Sequence, residues 1–502
     1  MSARTPQIVV TLPGRTVGEV KLQAEAALRA GADLAEVRFD RWTAEERAGA
    51  AAIFPAPLPL VATLRSTAEG GEGADDPYER LREVEGLVAL PFRWIDVEEA
   101  RDDPLARRLL GVSSLGRIVS THLPNGASTS ELEPILARVP PPGAIRKVVM
   151  PATVGTLLRE LLPLLPGIAE RETVLMTTGP SGPLLRAWSR RWGFPLVYAS
   201  LPGAQSGGPE AAVEPSQIPV DRLRLFLDGD ERAPLFGVAG HPIAHSRSPD
   251  LHSRWMRSSG HRGIYIALDI ASESELVEAM DPLAAGGFRG LNVTHPWKSA
   301  ALEAATEVRP GALTCGAANC LTFEDGEIEA ENTDLVAILR RLDELRRSGE
   351  WDGSELAVVG TGGAAAATLA AARELRVPAH VIARDARRAS TICGRFDATP
   401  VLRPEARVFP LVVHATDVGR GDAGPLEVPL AELVGPGTRV LDWVYAPDDP
   451  TIRLISERSR GTYEDGWRLL VYQAAASFSI WWGTDPNPTD VESAIAEGPC
   501  TE

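Results

Sequence analysis

Between Gln7 and Leu201, eight short apolar or β-branched runs (QIVVTL, LAEVRFD, LPLVATLR, WIDVE, RIVSTHL, IRKVVMPA, TVLMTT and PLVYASL) alternate with longer amphipathic stretches. GEVKLQAEAALRAGA, PYERLREVEGLVAL, STSELEPILARV, TVGTLLRELLPLLP and PSGPLLRAWSRRW are examples of the latter. Strand-length runs alternating with helical periods over short connections are the pattern of parallel strands joined by right-handed crossovers. Eight such units predict an α/β fold, a (β/α)8 TIM barrel, whose chemistry gathers at the C-terminal strand ends. Polar residues fall where that rule wants them: Glu36 and Arg38 late in strand two, Arg65 ending strand three, His122 ending strand five. Lys147 comes earlier in strand six, with a stem long enough to run up the interior to the mouth.

Of 51 Lys plus Arg, only Lys21, Lys147 and Lys298 are lysine. Arginine stays protonated at any working pH, whereas a desolvated lysine can act as nucleophile or base. Lys21 falls on the solvated face of a helical pattern. Lys147 stands among Ile145, Val148, Val149 and Met150, and Lys298 lies where a strand enters a helix, so both are candidate catalytic amines. His122 is the only histidine before His241. An amine held neutral by apolar surroundings would attack a ketone, and the iminium would act as electron sink for proton removal at the adjacent carbon. A histidine titrating near neutrality suits that proton and a departing hydroxyl.

With 502 residues the chain is too long for one core. A formal charge of −17 argues against a nucleic-acid or membrane-surface role, which needs a basic face. No apolar run approaches the roughly 18 residues of a membrane span, and MSARTPQIVV has no signal-peptide core, so a cytoplasmic protein is expected. Cys315, Cys320, Cys393 and Cys500 show no zinc-type pairing; reduced thiols and no metal are expected.

After LRLFLDGDERAPLFGVAG, where a helix gives way to a new strand, the pattern changes, placing a boundary near residue 231. ELAVVGTGGAAAATLAAARELR reads as strand, glycine turn and helix, and Gly360, Gly362 and Ala365 fit a dinucleotide fingerprint. Arg384, Arg387 and Arg388 beyond the next strand favour a ribose 2'-phosphate, hence NADP. Asp385 suits the 2'-hydroxyl of NAD, and the arginine cluster is given the greater weight. Lys298 at a helix start is disfavoured by the helix dipole. Paired with Asp334 it would handle the proton that accompanies hydride transfer; for Asp334 the alternative is a helix N-cap.

Over about residues 6–228, EVRFD (36–40), TLRSTAEGG (63–71), VSTHL (119–123), RKVVMPA (146–152), the arginine of GPLLRAW and SQI (216–218) resemble the type I 3-dehydroquinate dehydratases. The resemblance implies a Schiff base between Lys147 and 3-dehydroquinate, with acid-base steps by His122, oriented by Glu69. It implies substrate binding by Glu36, Arg38, Arg65, Arg186 and Gln217. Arg186 is the expected carboxylate partner, its planar fork matching two oxygens. Val213 stands where that family usually has serine. The Gly/Pro-rich stretch 202–217 is expected to be a mobile lid.

Over about residues 234–487, GHPIAHSRSP (240–249), NVTHPWK (292–298), GAANCL (316–321), NTD (332–334), GTGGA (360–364), DWVYAP (442–447) and DGWRLLVYQA (465–474) resemble shikimate dehydrogenase. By position, Ser246, Ser248, Asn292, Thr294, Asn319, Tyr445 and Gln473 would meet the substrate. Lys298 and Asp334 would be the catalytic pair. Gly360, Thr361, Gly362, Gly363, Ala364, Arg384 and Arg388 would bind NADP. Leu335, His414 and Arg468-Leu469 depart from that family's glycine, asparagine and Gly-Met. The expectation is a bifunctional enzyme: a dehydratase barrel in residues 1–230 and a dehydrogenase in 231–502. The dehydrogenase would have a substrate lobe (about 234–335 plus helix 466–487) and a Rossmann lobe (about 340–465). 3-Dehydroquinate would become 3-dehydroshikimate and then shikimate. A ligand sensor would be expected to have lost these amines, and a Schiff-base aldolase fused to an unrelated reductase would give aldol cleavage products instead.

Overall fold

The computed structural model describes residues 4–102, 105, 107, 109, 115–203, 213–401, 407–419 and 426–498. The chain forms two compact units, one of residues 1–235 and 262–287, the other of 236–261 and 288–502.

In the first unit the eight predicted strands form as β1 (Gln7–Leu12), β2 (Leu34–Arg38), β3 (Leu60–Thr63), β4 (Trp94–Glu98), β5 (Gly116–His122), β6 (Ala144–Pro151), β7 (Thr173–Thr178) and β8 (Leu196–Ser200). A short β9 (Ile218–Pro219) follows β8. Neighbours pair in parallel from β1 to β7, and β1 also pairs with β8, Val9 opposite both Leu34 and Tyr198. One strand joined to both β2 and β8 curls the sheet around a single interior, as a TIM barrel requires. Among the described residues the seam falls between β7 and β8, which share no ladder. The helical run expected over TVGTLLRELLPLLP is irregular: one turn at Val154–Thr156, a π-helical turn at Leu157–Leu161 and a 3-10 turn at Leu162–Leu164. Pro163 has no N–H to give a regular ladder, and the chain widens and then tightens around it. Most of the expected lid, residues 204–212, lies outside the described residues.

In the second half, β10 (Leu235–Gly240), β11 (Ile264–Asp269), β12 (Phe288–Val293), β13 (Glu307–Val308), β14 (Cys320–Glu324) and β15 (Glu327–Glu331) come first. The strands β12, β14 and β15 pair antiparallel in that order, and β13 runs parallel to β15. Then β16 (Leu356–Val359), β17 (Ala379–Ile382), β18 (Thr399–Pro400), β19 (Leu411–His414), β20 (Arg439–Asp442) and β21 (Thr462–Glu464) form a parallel sheet ordered β18-β17-β16-β19-β20-β21. Strand order reverses between β16 and β19, which opens the crevice where a doubly wound sheet takes its ligand. The alanine-rich helix Gly363–Glu374 packs its small residues on β16, so the helix lies close to the sheet. No helix among the described residues is long and apolar enough to cross a membrane.

Candidate active sites

The barrel mouth holds a cavity of about 560 Å3 lined by Glu36, Arg38, Arg65, Glu69, His122, Lys147, Arg186 and Gln217, all of them expected from the sequence. Lys147 is only 3% exposed because it projects from the middle of β6 into the interior. Its neighbours are ionic, which corrects the expectation of apolar surroundings. Nζ donates to Asp96 Oδ2 at 2.6 Å, lies 3.4 Å from Tyr198 Oη and 3.9 Å from Glu36 Oε1, and sits 4.7 Å from the centroid of the Tyr198 ring. The apolar residues of IRKVVMPA belong to the same strand, but the amine's surroundings are set by β4 and β2. Burial alone would raise the Asp96 carboxyl; Arg65 and Lys147 outweigh it and hold the group well below the usual carboxylate range. Arg65 joins the cluster together, donating to Asp96 at 2.7 Å, Ser120 at 2.9 Å, Glu69 at 3.0 Å and Glu98 at 3.2 Å.

Glu69 Oε2 accepts from the backbone N–H of His122 and faces its Nδ1, both at 3.1 Å, which fixes the ring and turns Nε2 away from Glu69. Burial, then the nearby charges of Arg65 and Lys147, lowers the His122 pKa well below its ordinary value, so the imidazole is neutral at neutral pH. Burial pushes Glu69 up to about 7, Arg65 opposing and Glu98 and Asp96 reinforcing. Glu36 accepts from Thr63 at 2.8 Å and Thr11 at 3.1 Å, and Arg38 forks onto Asp40 at 2.7 and 2.8 Å. Gln217 donates to Thr11 at 3.4 Å.

Asp96, Glu98, Ser120, Thr11, Thr63 and Tyr198 were not singled out from the sequence. A signal for two of them was present, since WIDVE puts Asp96 and Glu98 two residues apart and therefore on one face of β4.

In the second unit, Lys298 opens the helix Lys298–Glu303 and donates from Nζ to Asp334 Oδ2 at 2.5 Å, the anion offsetting the unfavourable helix start. Asp334 is not the N-cap: Asn332 caps the helix Thr333–Ser348 by accepting from the Leu335 N–H. The other Asp334 oxygen accepts from Asn319 Nδ2 at 2.9 Å, and Asn319 is tied to Thr333. Asn292 donates to the Asn319 carbonyl at 2.9 Å and to Ser477 at 2.8 Å. Ser248 opens the helix Ser248–Ser258, with Ser246 two residues before it, and Thr294 follows β12. Gln473 donates to the Leu470 carbonyl rather than to the Lys298 pair, and Tyr445 packs edge-on to Trp467.

Gly360 follows β16 at φ +126°, and a Cβ there would run into the Ala415 carbonyl, so the turn needs glycine at that point. Gly362 is the N-cap of the next helix with no side chain bonded to the helix N–H groups, and its own Cβ position is open. Together with Thr361, Gly363 and Ala364 it leaves bare amides at a helix N-terminus, the donor set a pyrophosphate requires. A Cβ on Gly363 would meet Lys298 Cδ at 3.3 Å, which puts the amine beside this turn. Asp385 Oδ1 caps the helix Ala386–Phe396 by accepting from the Arg387 and Arg388 N–H groups, while Arg384 and Arg388 stay exposed. His414 is buried, bonded to Asp442 at 2.8 Å and Thr416 at 2.5 Å, and bridges the ends of β19 and β20. Arg468 turns to Tyr472 and Glu464.

The type I 3-dehydroquinase family model matches residues 8–232, and that of the shikimate dehydrogenase substrate binding domain matches residues 238–321. Shikimate dehydrogenase (NADP(+)) of Paracoccus denitrificans is 39% identical over 275 residues, 53% of this chain and 96% of its own. The Roseobacter denitrificans protein of the same description is 34% identical over 282 residues, 53% of this chain and 99% of its own. A solved chain described as dehydroquinate dehydratase and shikimate dehydrogenase from S. pombe aligns over 98% of both chains at 22% identity, with a TM-score of 0.41. The chain belongs to the shikimate dehydrogenase family and carries a type I 3-dehydroquinase domain ahead of it, which makes it a bifunctional enzyme of the shikimate pathway.

Proposed function

We propose that the barrel converts 3-dehydroquinate to 3-dehydroshikimate through a Schiff base at Lys147, and that the second half reduces 3-dehydroshikimate to shikimate with NADPH. The observation that carries the reading is a buried lysine amine in one cavity with a neutral histidine backed by a glutamate. Lys147 Nζ, once it has given up a proton, adds to the ketone, and loss of water leaves the iminium. His122 Nε2 takes the proton from the adjacent carbon, the electron pair moves into the iminium, and the same imidazolium protonates the hydroxyl that leaves as water. Hydrolysis then frees the amine. Glu69 keeps the ring aimed, and Arg186 holds the substrate carboxylate.

In the second half Asp334 keeps Lys298 positioned, so that Nζ can protonate the carbonyl oxygen as it becomes a hydroxyl. NADPH, when bound, supplies the hydride. Gly360, Thr361, Gly362, Gly363 and Ala364 would hold its pyrophosphate, and Arg384 and Arg388 the 2'-phosphate. Asp385 Oδ1 caps a helix, and the exposed Arg384 and Arg388 on either side of it support NADP over NAD. Ser246, Ser248, Asn292, Thr294, Asn319, Tyr445 and Gln473 would line the substrate's carboxylate and hydroxyls.

Borohydride added during turnover of 3-dehydroquinate should leave a reduced adduct on Lys147 detectable by peptide mass spectrometry, and the full chain should oxidise shikimate with NADP. Label on Lys21, or none, would overturn the Schiff-base assignment.

A further inference from the structure

Arg186 carries a charge almost entirely removed from water, its side chain 4% exposed. Two of its hydrogen bonds go to neutral backbone carbonyls, Thr177 at 2.9 Å and Tyr198 at 3.2 Å. Its anionic partner among the described residues is Glu214, three residues before Gln217, with Nη2 and Oε2 3.4 Å apart. Glu214 Oε2 receives more than the guanidinium: the Ser216 N–H donates to it at 3.1 Å, and the Ser216 hydroxyl donates to the same oxygen. The hydroxyl oxygen in turn accepts from Arg186 Nη1 at 3.3 Å. Three donors therefore converge on one carboxylate oxygen that the chain itself supplies, at the edge of the substrate cavity, which Val213, Glu214 and Gln217 all line. Ser216 is held there by its close approach to Gly182, where any Cβ would collide with the hydroxyl.

A buried guanidinium without a counter-ion is costly, so the free site needs an anion. Glu214 provides one, but through a single long contact rather than the two parallel bonds a planar fork can make with a ligand carboxylate. We propose that Glu214 is an internal counter-ion that competes with the substrate carboxylate for Arg186 and Ser216, and so sets the affinity of the barrel for carboxylate ligands. When Glu214 gives way, the Ser216 hydroxyl and N–H pass to the incoming carboxylate. The hydroxyl missing at Val213 is then supplied three residues further on. The proposal rests on the reading that Arg186 takes the substrate carboxylate.

In the full chain, Glu214→Gln should lower KM for 3-dehydroquinate by about 2- to 5-fold, the worth of a partly exposed ion pair, with the change falling on KM rather than kcat. Inhibition by 3-dehydroshikimate should tighten by a similar factor, and inhibition by its uncharged methyl ester should not. Arg186→Lys should raise KM in both the wild-type and Glu214→Gln backgrounds. If Glu214→Gln raises or leaves KM while Arg186→Lys raises it, the competition is refuted and the role of Arg186 stands. If Arg186→Lys leaves KM untouched, the role of Arg186 fails and the competition with it. Should Glu214→Gln not accumulate, Glu214→Ala is read in the same way.

Discussion

Replacing Asp96 by asparagine removes one negative charge from the buried cluster at almost constant volume. Asp96 accepts from Lys147 at 2.6 Å, Arg65 at 2.7 Å and Ser120 at 2.5 Å. Arg65 keeps Glu69 and Glu98, but Lys147 is left with Glu36 at 3.9 Å, and the new amide can still accept only through its one oxygen. A hydrogen bond to a charged group is worth about 1.5–3 kcal/mol, and orphaning one member of a buried pair costs about 3–5 kcal/mol. With Arg65 still compensated, the lower end applies, about 3 kcal/mol. For a barrel of this size, with an unfolding entropy of about 0.5 kcal/mol/K, that is a fall of about 6 °C in the barrel's Tm. Calorimetry of the full chain at pH 7 reads it. The folded-state pKa of Asp96 is depressed, so its contribution is present above the ordinary value of 3.8 and is lost as pH falls. The gap between wild type and variant should therefore narrow in acid. Lys147→Met should be less damaging, because Asp96 keeps Arg65 at 2.7 Å and Ser120 at 2.5 Å, and adding Lys147→Met to Asp96→Asn should recover most of the loss, since no buried ammonium is then left unpaired. A Tm for Asp96→Asn within 1 °C of wild type, or a gap that widens in acid, would refute the view that this cluster is a compensated buried network.

Lys298→Met should reduce NADP-linked shikimate oxidation by about 100- to 10,000-fold, the worth of a positioned proton donor, with dehydration by the same preparation as control. His122→Gln should cost dehydration a similar factor while borohydride trapping at Lys147 persists, since the amine does not depend on the ring for attachment. Glu69, raised from 4.5 to about 7, holds its proton longer in the folded state, so its contribution to stability is complete below pH 4.5 and is lost as pH rises through 7. Urea titrations of Glu69→Gln between pH 5 and 8 should show a flatter pH dependence than wild type. Gly360→Ala should weaken NADPH binding measured by fluorescence and lower Tm, because its φ and the Ala415 carbonyl both exclude a side chain there.

What could be read along the chain was whatever local pattern controls. Eight alternations gave the barrel, because period-2 and period-3.6 patterning is a property of neighbouring residues. GTGGA gave the strand-to-helix turn, because glycine at φ +126° is a backbone requirement written in one letter. Lys147, His122, Lys298 and Asp334 could be picked out because rarity and residue type narrow the chemistry. The environment of Lys147 could not, since it comes from Asp96, fifty-one positions away, and from Tyr198 on β8. Glu214 was hidden for a related reason: its meaning lies in its distance from Arg186, which only closure of the fold brings about. The same closure decides between two roles for Asp334, cap or ion-pair partner, that its sequence position leaves open.

On the proposed chemistry the two lysines work in opposite charge states, and the hydrogen bonding of each carboxylate fits that difference. Lys298 must be charged when it works, and its anion is not divided: one Asp334 oxygen takes the amine and the other a neutral amide, so the full charge stays with Lys298. Lys147 must be uncharged when it works, and its anion is shared. Asp96 also answers to the guanidinium of Arg65, whose own charge bears on the same mouth. Competition from Arg65 weakens the hold of Asp96 on the ammonium without leaving the carboxylate unpaired when the proton departs. Arg65→Gln should therefore tighten the Lys147–Asp96 pair and slow borohydride trapping at pH 7, and trapping at the wild-type rate with saturating 3-dehydroquinate would refute this division of the carboxylate.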